Sequence, residues 1–401
     1  MSNDLFKTLN NLTFETLKHT HLKKIIICFL LTSFFTCKND TKAPNEIKQD
    51  IETSAYKYAQ GFSITNNENF KILTVSNPWP KAEKTYKYAL VHKNMLSKIT
   101  LNKDEFDGII TIPIEKIVVT STTHIPALEL LNVEQTLVGF PGTDYISSEK
   151  TRQRIDDGKV RELGKNAGIN TEVLLEVKPD VVIGFGIDGN NKTFETIKKS
   201  GIPVIFNGDW VEASPLAKAE WIKFFGVLFN KQKQADSIFN TIEKDYLNAK
   251  KLAKDAKTKP SVLSGAMHND VWYLPNGTST EAQLLKDANV NYLWSDSKGS
   301  GSLSLNFETV FMKAKDADIW LSPSNYASRE ALKNANTHNT MFKAFQNNNI
   351  YSTINTKGTS GGILYFELGT TRPDLVLKDL IKICHPKLLK NHDLYFFKHL
   401  D

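Results

Sequence analysis

Aromatic side chains gather beside the C-terminal ends of this sequence's apolar runs. Phe185 follows Val181-Val182-Ile183, Trp210 follows Pro203-Val204-Ile205-Phe206, and Trp272 and Tyr273 lie within Val271-Trp272-Tyr273-Leu274. Trp294, Tyr365 and, in the turn after Val138-Gly139, Tyr145 complete the set. Rings bury much area and a few polar groups then fix orientation, so the chemistry indicated is capture of a large, partly apolar ligand in a cleft. Thr122 and His124, just past Ile117-Val118-Val119, are polar candidates for the same wall.

Bond-making chemistry finds little footing. The nine histidines form no His-x-x-x-His or His-Glu-x-x-His pattern and the cysteines are unpaired, so no protein-held metal site is expected. Ser121, Ser264 and Ser360 lack a nucleophile elbow. One alternative stands: Gly184-Phe185-Gly186-Ile187-Asp188-Gly189 satisfies the glycine pattern that cradles a dinucleotide pyrophosphate, with Asp209 placed for the ribose. An exported Rossmann-type oxidoreductase is therefore the second reading, and a surface adhesion module the third. Against the dinucleotide, the preceding strand is not the first of its sheet, and Asn190-Asn191 prolong the loop. The expectation is a binding protein, not an enzyme.

The elements that must position these residues alternate. From Lys116 onward, short near-continuous apolar strands are separated by helices, which implies a parallel sheet covered on both faces. Ser214-Pro215 opens a helix reaching about Phe229, and Asn230-Lys231 break it. Residues 232 to about 258 then contain neither Gly nor Pro. Ala235, Ile238, Phe239, Ile242, Tyr246, Ala249 and Ala253 recur there at three- and four-residue spacing, which predicts one helix ~40 Å long. Strand and helix alternate again after Pro260. The fold class expected is α/β, two Rossmann-like lobes with mostly parallel sheets bridged by one long helix. Residues 114–214 make the N-terminal lobe, 215–259 the helical connector and 260–401 the C-terminal lobe, with a strand-rich extension over 55–113.

An internal echo supports two similar lobes. Asn170-Thr171-Glu172 leads through a helix into Val181-Val182-Ile183, and Asn306-Phe307-Glu308 leads likewise into Ile319-Trp320-Leu321. Glu172 and Glu308 are thereby placed at equivalent positions.

Length and composition bound the rest. A chain of 401 residues with 40% hydrophobic and 23% charged content holds two to three ordinary domains, which excludes disorder and a polytopic membrane protein. The net charge of +6 comes from 50 basic and 44 acidic residues without a basic run, so nucleic acid is not an expected partner. Lys23-Lys24 and the eleven residues that follow are too short to span ~30 Å of hydrocarbon but suit a secretory signal. Thr36-Cys37-Lys38-Asn39-Asp40 after it resembles a bacterial lipoprotein signal, which implies a signal over residues 1–37, acylation at Cys37 and a linker over 38–54, hence a lipid-anchored envelope protein. Cys384 would remain as a core thiol with no disulfide partner.

Taken in order, these segments resemble the substrate-binding proteins of ABC importers for cobalamin, haem and ferric siderophores. The resemblance covers residues 114–386 and rests on Lys116-Ile117-Val118-Val119-Thr120-Ser121-Thr122, Gly139 to Asp144-Tyr145, Lys178-Pro179-Asp180-Val181-Val182-Ile183, Gly201-Ile202-Pro203-Val204, the long helix, Glu308 to Leu321, and Arg372-Pro373-Asp374. It implies a monomer that captures a metal chelate or corrinoid between lobes, with Tyr145, Phe185 and Trp210 on one wall and Trp272 and Tyr365 on the other. It also implies that Glu172 and Glu308 dock on arginines of an ABC permease and ATPase complex. No cofactor of its own is implied, since any Fe or Co would ride on the ligand. The chain departs from the family in its strand-rich extension and in lacking an Arg cluster for an anionic siderophore.

Overall fold

Period-two alternation opens the described part of the chain. The computed structural model describes residues 53–54, 56–189, 192–323 and 326–401, so the expected signal, Cys37 and nearly all of the linker lie outside the described residues. β1 (Thr53–Ser54), β2 (Phe62–Asn66), β3 (Lys71–Val75), β4 (Tyr86–His92) and β5 (Gly108–Ile112) form one sheet in that order. The neighbours are antiparallel up to β4, and β5 runs parallel to it. Leu73, Val75, Tyr88 and Leu90 are buried. The sheet leans on the first lobe through rings: Trp79 and Tyr86 stand edge-on to Phe206 at 5.2 and 5.0 Å, and the Tyr88 hydroxyl accepts the Phe206 N–H at 3.3 Å. Extension and first lobe therefore share one core.

The first lobe is a wholly parallel sheet in the order β12-β11-β6-β7-β8, built from β6 (Ile117–Val119), β7 (Leu137–Phe140), β8 (Arg161–Glu162), β11 (Val181–Phe185) and β12 (Val204–Asn207). A small hairpin, β9 (Gly164–Lys165) and β10 (Gly168–Ile169), follows β8. Ile117, Val118, Val119, Val181, Val182 and Ile183 are all fully buried, as strands covered on both faces must be. The helices are α1 (Ile125–Leu130), α2 (Glu149–Asp156), α3 (Thr171–Val177) and α4 (Lys192–Lys199).

The connector departs from expectation at two points. The helix predicted to run unbroken from Ser214 is two, α5 (Pro215–Glu220) and α6 (Ile222–Leu228), with a turn at Trp221. α7 (Gln232–Ala253) stops five residues early, where its apolar stripe ends and the backbone passes into i→i+3 turns at Lys254, Asp255 and Ala256. Its 22 residues span ~33 Å. α7 nevertheless joins the lobes: Ala235, Phe239 and Ile242 enter the first core, and Tyr246, Ala249 and Ala253 enter the second.

The second lobe carries β16-β13-β18-β19-β20, from β13 (Ser261–Ser264), β16 (Asn291–Tyr292), β18 (Ile319–Leu321), β19 (Ile350–Ser352) and β20 (Lys398–His399), parallel except for β20. A second sheet, β14 (Ala266–His268), β15 (Val271–Pro275) and β17 (Ser302–Leu305), is antiparallel. Asn269 and Asp270, both at positive φ (46° and 61°), make the tight turn between β14 and β15. The helices are α8 (Thr280–Asp287), α9 (Phe307–Ala314), α10 (Arg329–Ala335), α11 (Lys343–Gln346), α12 (Leu364–Leu368) and α13 (Pro373–Cys384), the last packed along α7. Two α/β lobes bridged by one helix, with a strand-rich extension, match the expected class. Among the described residues no helix is long and apolar enough to cross a membrane.

Candidate functional site

In an open parallel sheet the loops at the C-terminal strand ends hold ligands, because the helices there leave a crevice. Both lobes follow this rule and face one cleft of about 580 Å³. β12 ends at Asn207 and delivers Trp210 to the first wall, while β13 and β18 deliver Ser264 and Ser322 to the second. Gly265 fixes the second wall's shape. Its φ is +76°, and a Cβ there would stand 1.8 Å from the Tyr273 carbonyl oxygen, so only glycine lets β15 fold back over the end of β13.

The cleft is sparsely charged. Among the described lining residues Lys218 on α5 carries the one cation, and Glu212 and Glu281 carry the carboxylates. Glu212 is committed elsewhere, its Oε1 accepting from the Trp221 indole at 2.9 Å and from the backbone N–H groups of Gln60 and Gly61 at 3.0 and 2.8 Å. Behind the wall sits Asp209, whose carboxyl is raised by burial and held back by the Lys218 charge and the Thr123 hydroxyl. The buried Trp210 indole N–H has no acceptor among the described atoms. On the opposite wall burial, then the Glu281 charge, pushes the Tyr365 phenol up. The arrangement offers apolar ring surface, one ammonium and a rim of serine and threonine hydroxyls. That is equipment for holding a ligand.

Trp210, Tyr273 and Tyr365 line this cleft. Phe185 stands 5.7 Å from Trp210, ring to ring, and lines a neighbouring hollow with Ile187 and Phe194. Tyr145, 72% exposed, lies outside the cleft lining, its carbonyl under Gly362 of the second lobe. The turn carrying Thr122 packs on α12.

Three expected residues are core. Trp272 is fully buried, stacked on Trp320 at 5.5 Å and beside Phe342, because successive residues of β15 face opposite ways and Tyr273 takes the cleft side. Trp294 is buried against Tyr292 with the Lys313 ammonium over its ring. His124 is fully buried against Phe225. Burial drives its pKa down to about 3, the adjacent Asn207 side chain opposing, so it stays neutral.

The dinucleotide alternative loses its acidic partner here, since Asp209 is only 5% exposed and bound to Thr123. Gly184 is a packing glycine, its missing Cβ occupied by the Phe194 and Phe206 rings at 3.2–3.3 Å. Residues the sequence reading missed are Pro80, Lys218, Glu281 and Phe366. Lys218 had one available signal, its place in the first helix after the Trp210 loop.

Glu172 and Glu308 are both exposed in the first turns of α3 and α9, capped by Asn170 and Asn306. Each helix leads to the strand beside its lobe's first strand, β11 next to β6 and β18 next to β13. Their equivalence in the two lobes is a feature of the fold.

Residues 117–355 match the family described as periplasmic binding protein. A lipoprotein of Methanocaldococcus jannaschii is 29% identical over 299 residues, covering 72% of this chain and 69% of its own. A possible iron-binding, periplasmic solute-binding protein from Staphylococcus epidermidis superposes with a TM-score of 0.53 at 17% identity over 68% of this chain and 99% of its own. A periplasmic haem-binding protein from Pseudomonas aeruginosa does so at 0.53 and 16%, over 68% and 93%. At such identities the structures share the fold.

Proposed function

The chain belongs to the periplasmic binding protein family, and from that premise we propose that it captures an iron chelate, haem or a compact ferric siderophore, between its lobes and delivers it to the permease of an ABC importer. The carrying observation is the interlobe cleft of about 580 Å³, walled by Trp210, Tyr273, Tyr365 and Phe366 with Lys218 as its cation. That volume falls within the ~300–1,000 Å³ of small-molecule sites. Flat or ring-bearing chelates gain contact area on such walls, and an anionic group gains the ammonium. Cobalamin, the bulkiest of the class, would protrude from the cleft. Relatives of the same fold described as iron-binding and haem-binding support the chelate class. Acylation at Cys37 would hold the protein on the envelope membrane, and Glu172 and Glu308 would set its register on the permease.

The test is titration of the purified full-length chain with haemin, hydroxocobalamin and ferric hydroxamate and catecholate chelates, following tryptophan fluorescence. Saturable one-to-one quenching by haemin or a ferric chelate is expected. Preference for hydroxocobalamin would move the ligand class, and no binding by folded protein would overturn the reading.

A further inference from the structure

We infer that the loop between β3 and β4 of the N-terminal extension is a third wall of the ligand site, and that Pro80 within it determines which ligands fit. The inference rests on the cleft being the place of capture, and it concerns residues outside the 117–355 stretch that matches the family.

The loop between β3 and β4, Asn77-Pro78-Trp79-Pro80, reaches past the first lobe so that exposed Pro80 lines the cleft with Trp210 and Lys218. The loop is held in place. Two prolines fix φ, and Trp79 is 7% exposed, edge-on to Phe206. Gly208, the residue after β12, lies so near that a Cβ there would be 2.5 Å from the Asn77 carbonyl oxygen and 3.1 Å from the Pro78 Cα. The cleft wall is in turn anchored on the extension, since the Glu212 carboxylate takes the Gln60 and Gly61 N–H groups. Residues 211–213 are thus a thin partition with the ligand space on one side and Tyr58, Gln60, Gly61 and Asn77 of the N-terminal extension on the other.

A partition pinned from behind cannot swing away from a ligand, so its shape selects. Pro80 has no N–H to donate and presents only apolar ring, with an ammonium close by. The Trp210 end of the cleft therefore suits an apolar ligand edge carrying an anionic group and turns away a polar, neutral arm whose donors would go unmet.

The experiment compares the full-length chain with Pro80→Tyr and Pro80→Gly, measuring Kd for haemin, ferric hydroxamate and ferric catecholate by tryptophan quenching, and melting temperature as the folding check. Pro80→Tyr should weaken the best wild-type probe about tenfold or more. Pro80→Gly, which opens the same end, should narrow the gap between the best and the bulkiest probe. Unchanged Kd values and ranking in both folded variants would overturn the inference and leave the capture reading standing. Absence of binding in the wild type would overturn both together. Should Pro80→Tyr fail to fold, the ranking in Pro80→Gly decides alone.

Discussion

The Glu367 carboxylate, on α12 of the second lobe, accepts the backbone N–H of Ser147 at 2.5 Å and of Ser148 at 3.0 Å in the first lobe. Ser148 is the N-cap of α2, so a side chain from one lobe completes a helix end in the other. The segment before α12 is equally close: the Ser360 hydroxyl donates to the Ile146 carbonyl at 3.0 Å. A Cβ on Gly362 would stand 2.2 Å from the Tyr145 oxygen, and one on Gly358 would stand 2.6 Å from the Ser147 Cα. This contact therefore joins the lobes in addition to α7.

Glu367 makes the contact depend on pH. Burial raises its pKa to about 7, Glu129 adding to the rise and the two N–H donors opposing it. Glu129 itself is held by the Ser148 and Thr151 hydroxyls. With the folded value above the unfolded 4.5, the native state binds more protons between pH 4.5 and 7. Stability from this group is greatest below 4.5 and falls by roughly 3 kcal/mol as pH rises to 7. Glu367→Gln, which like the protonated acid offers one carbonyl acceptor, should abolish that fall and leave stability at acid pH close to the wild type's. Melting temperatures from pH 4 to 8 check both.

His124 runs the opposite way. Its pKa of about 3 in the fold against 6.5 unfolded means the unfolded chain takes up the proton first. Its contribution is whole above pH 6.5 and is lost as pH falls toward 3, roughly 5 kcal/mol in all. Between pH 4.5 and 6.5 the two groups offset each other, so the wild type should be nearly flat there. His124→Phe should expose the falling slope of Glu367 and Glu367→Gln the rising slope of His124. Parallel profiles in the two variants would refute the pairing.

How much of this was readable in advance depends on whether a residue's place is set by its own segment. Asn170-Thr171-Glu172 and Asn306-Phe307-Glu308 carry their caps and apolar strands in adjacent residues, so their matching positions were legible. The apolar stripe of α7 was legible too, though its division between two cores was not. Trp272 and Tyr273 share a composition signal, and only the pairing of β15 with β14 and β17 decides which one faces in. The Asn269-Asp270 pair between β14 and β15 is the turn signal the sequence carries for that hairpin, and both residues take the positive φ it requires. His124 lies under Phe225, 101 residues on, and Pro80 reaches the cleft from the loop between β3 and β4, so no local pattern shows either.

Lys218 and Trp210 separate charge from optical report. Trp221, Trp272, Trp294 and Trp320 are at most 4% exposed and Trp79 is 7% exposed, whereas Trp210 lines the cleft. Trp210→Phe should therefore remove the contact part of ligand-induced quenching, leaving the energy transfer from the buried tryptophans to a coloured chelate. Lys218→Ala should weaken an anionic chelate by ~1.5 kcal/mol, about tenfold, and flatten the dependence of Kd on salt. An unaltered salt dependence would mean the ligand's charge lies elsewhere.

Glu172 and Glu308 are exposed, far along the chain from each other, and sit at equivalent first turns, so a docking role would use them as a pair set by lobe spacing. Exposed ion pairs contribute only ~0.2–1 kcal/mol each, so Glu172→Gln or Glu308→Gln alone should lower uptake a few-fold. Reversal to Arg at both positions replaces two attractions with two repulsions and should abolish uptake by cells carrying the cognate permease, while Kd and melting temperature stay at wild-type values. Leu175 and Met312, 47% and 80% exposed on the same two helices, would be covered in that complex. Leu175→Lys with Met312→Lys should then also cut uptake without touching ligand affinity. Full uptake by the double Arg variant would show that the acidic pair serves only the helix starts, where a carboxylate is favourable in any case.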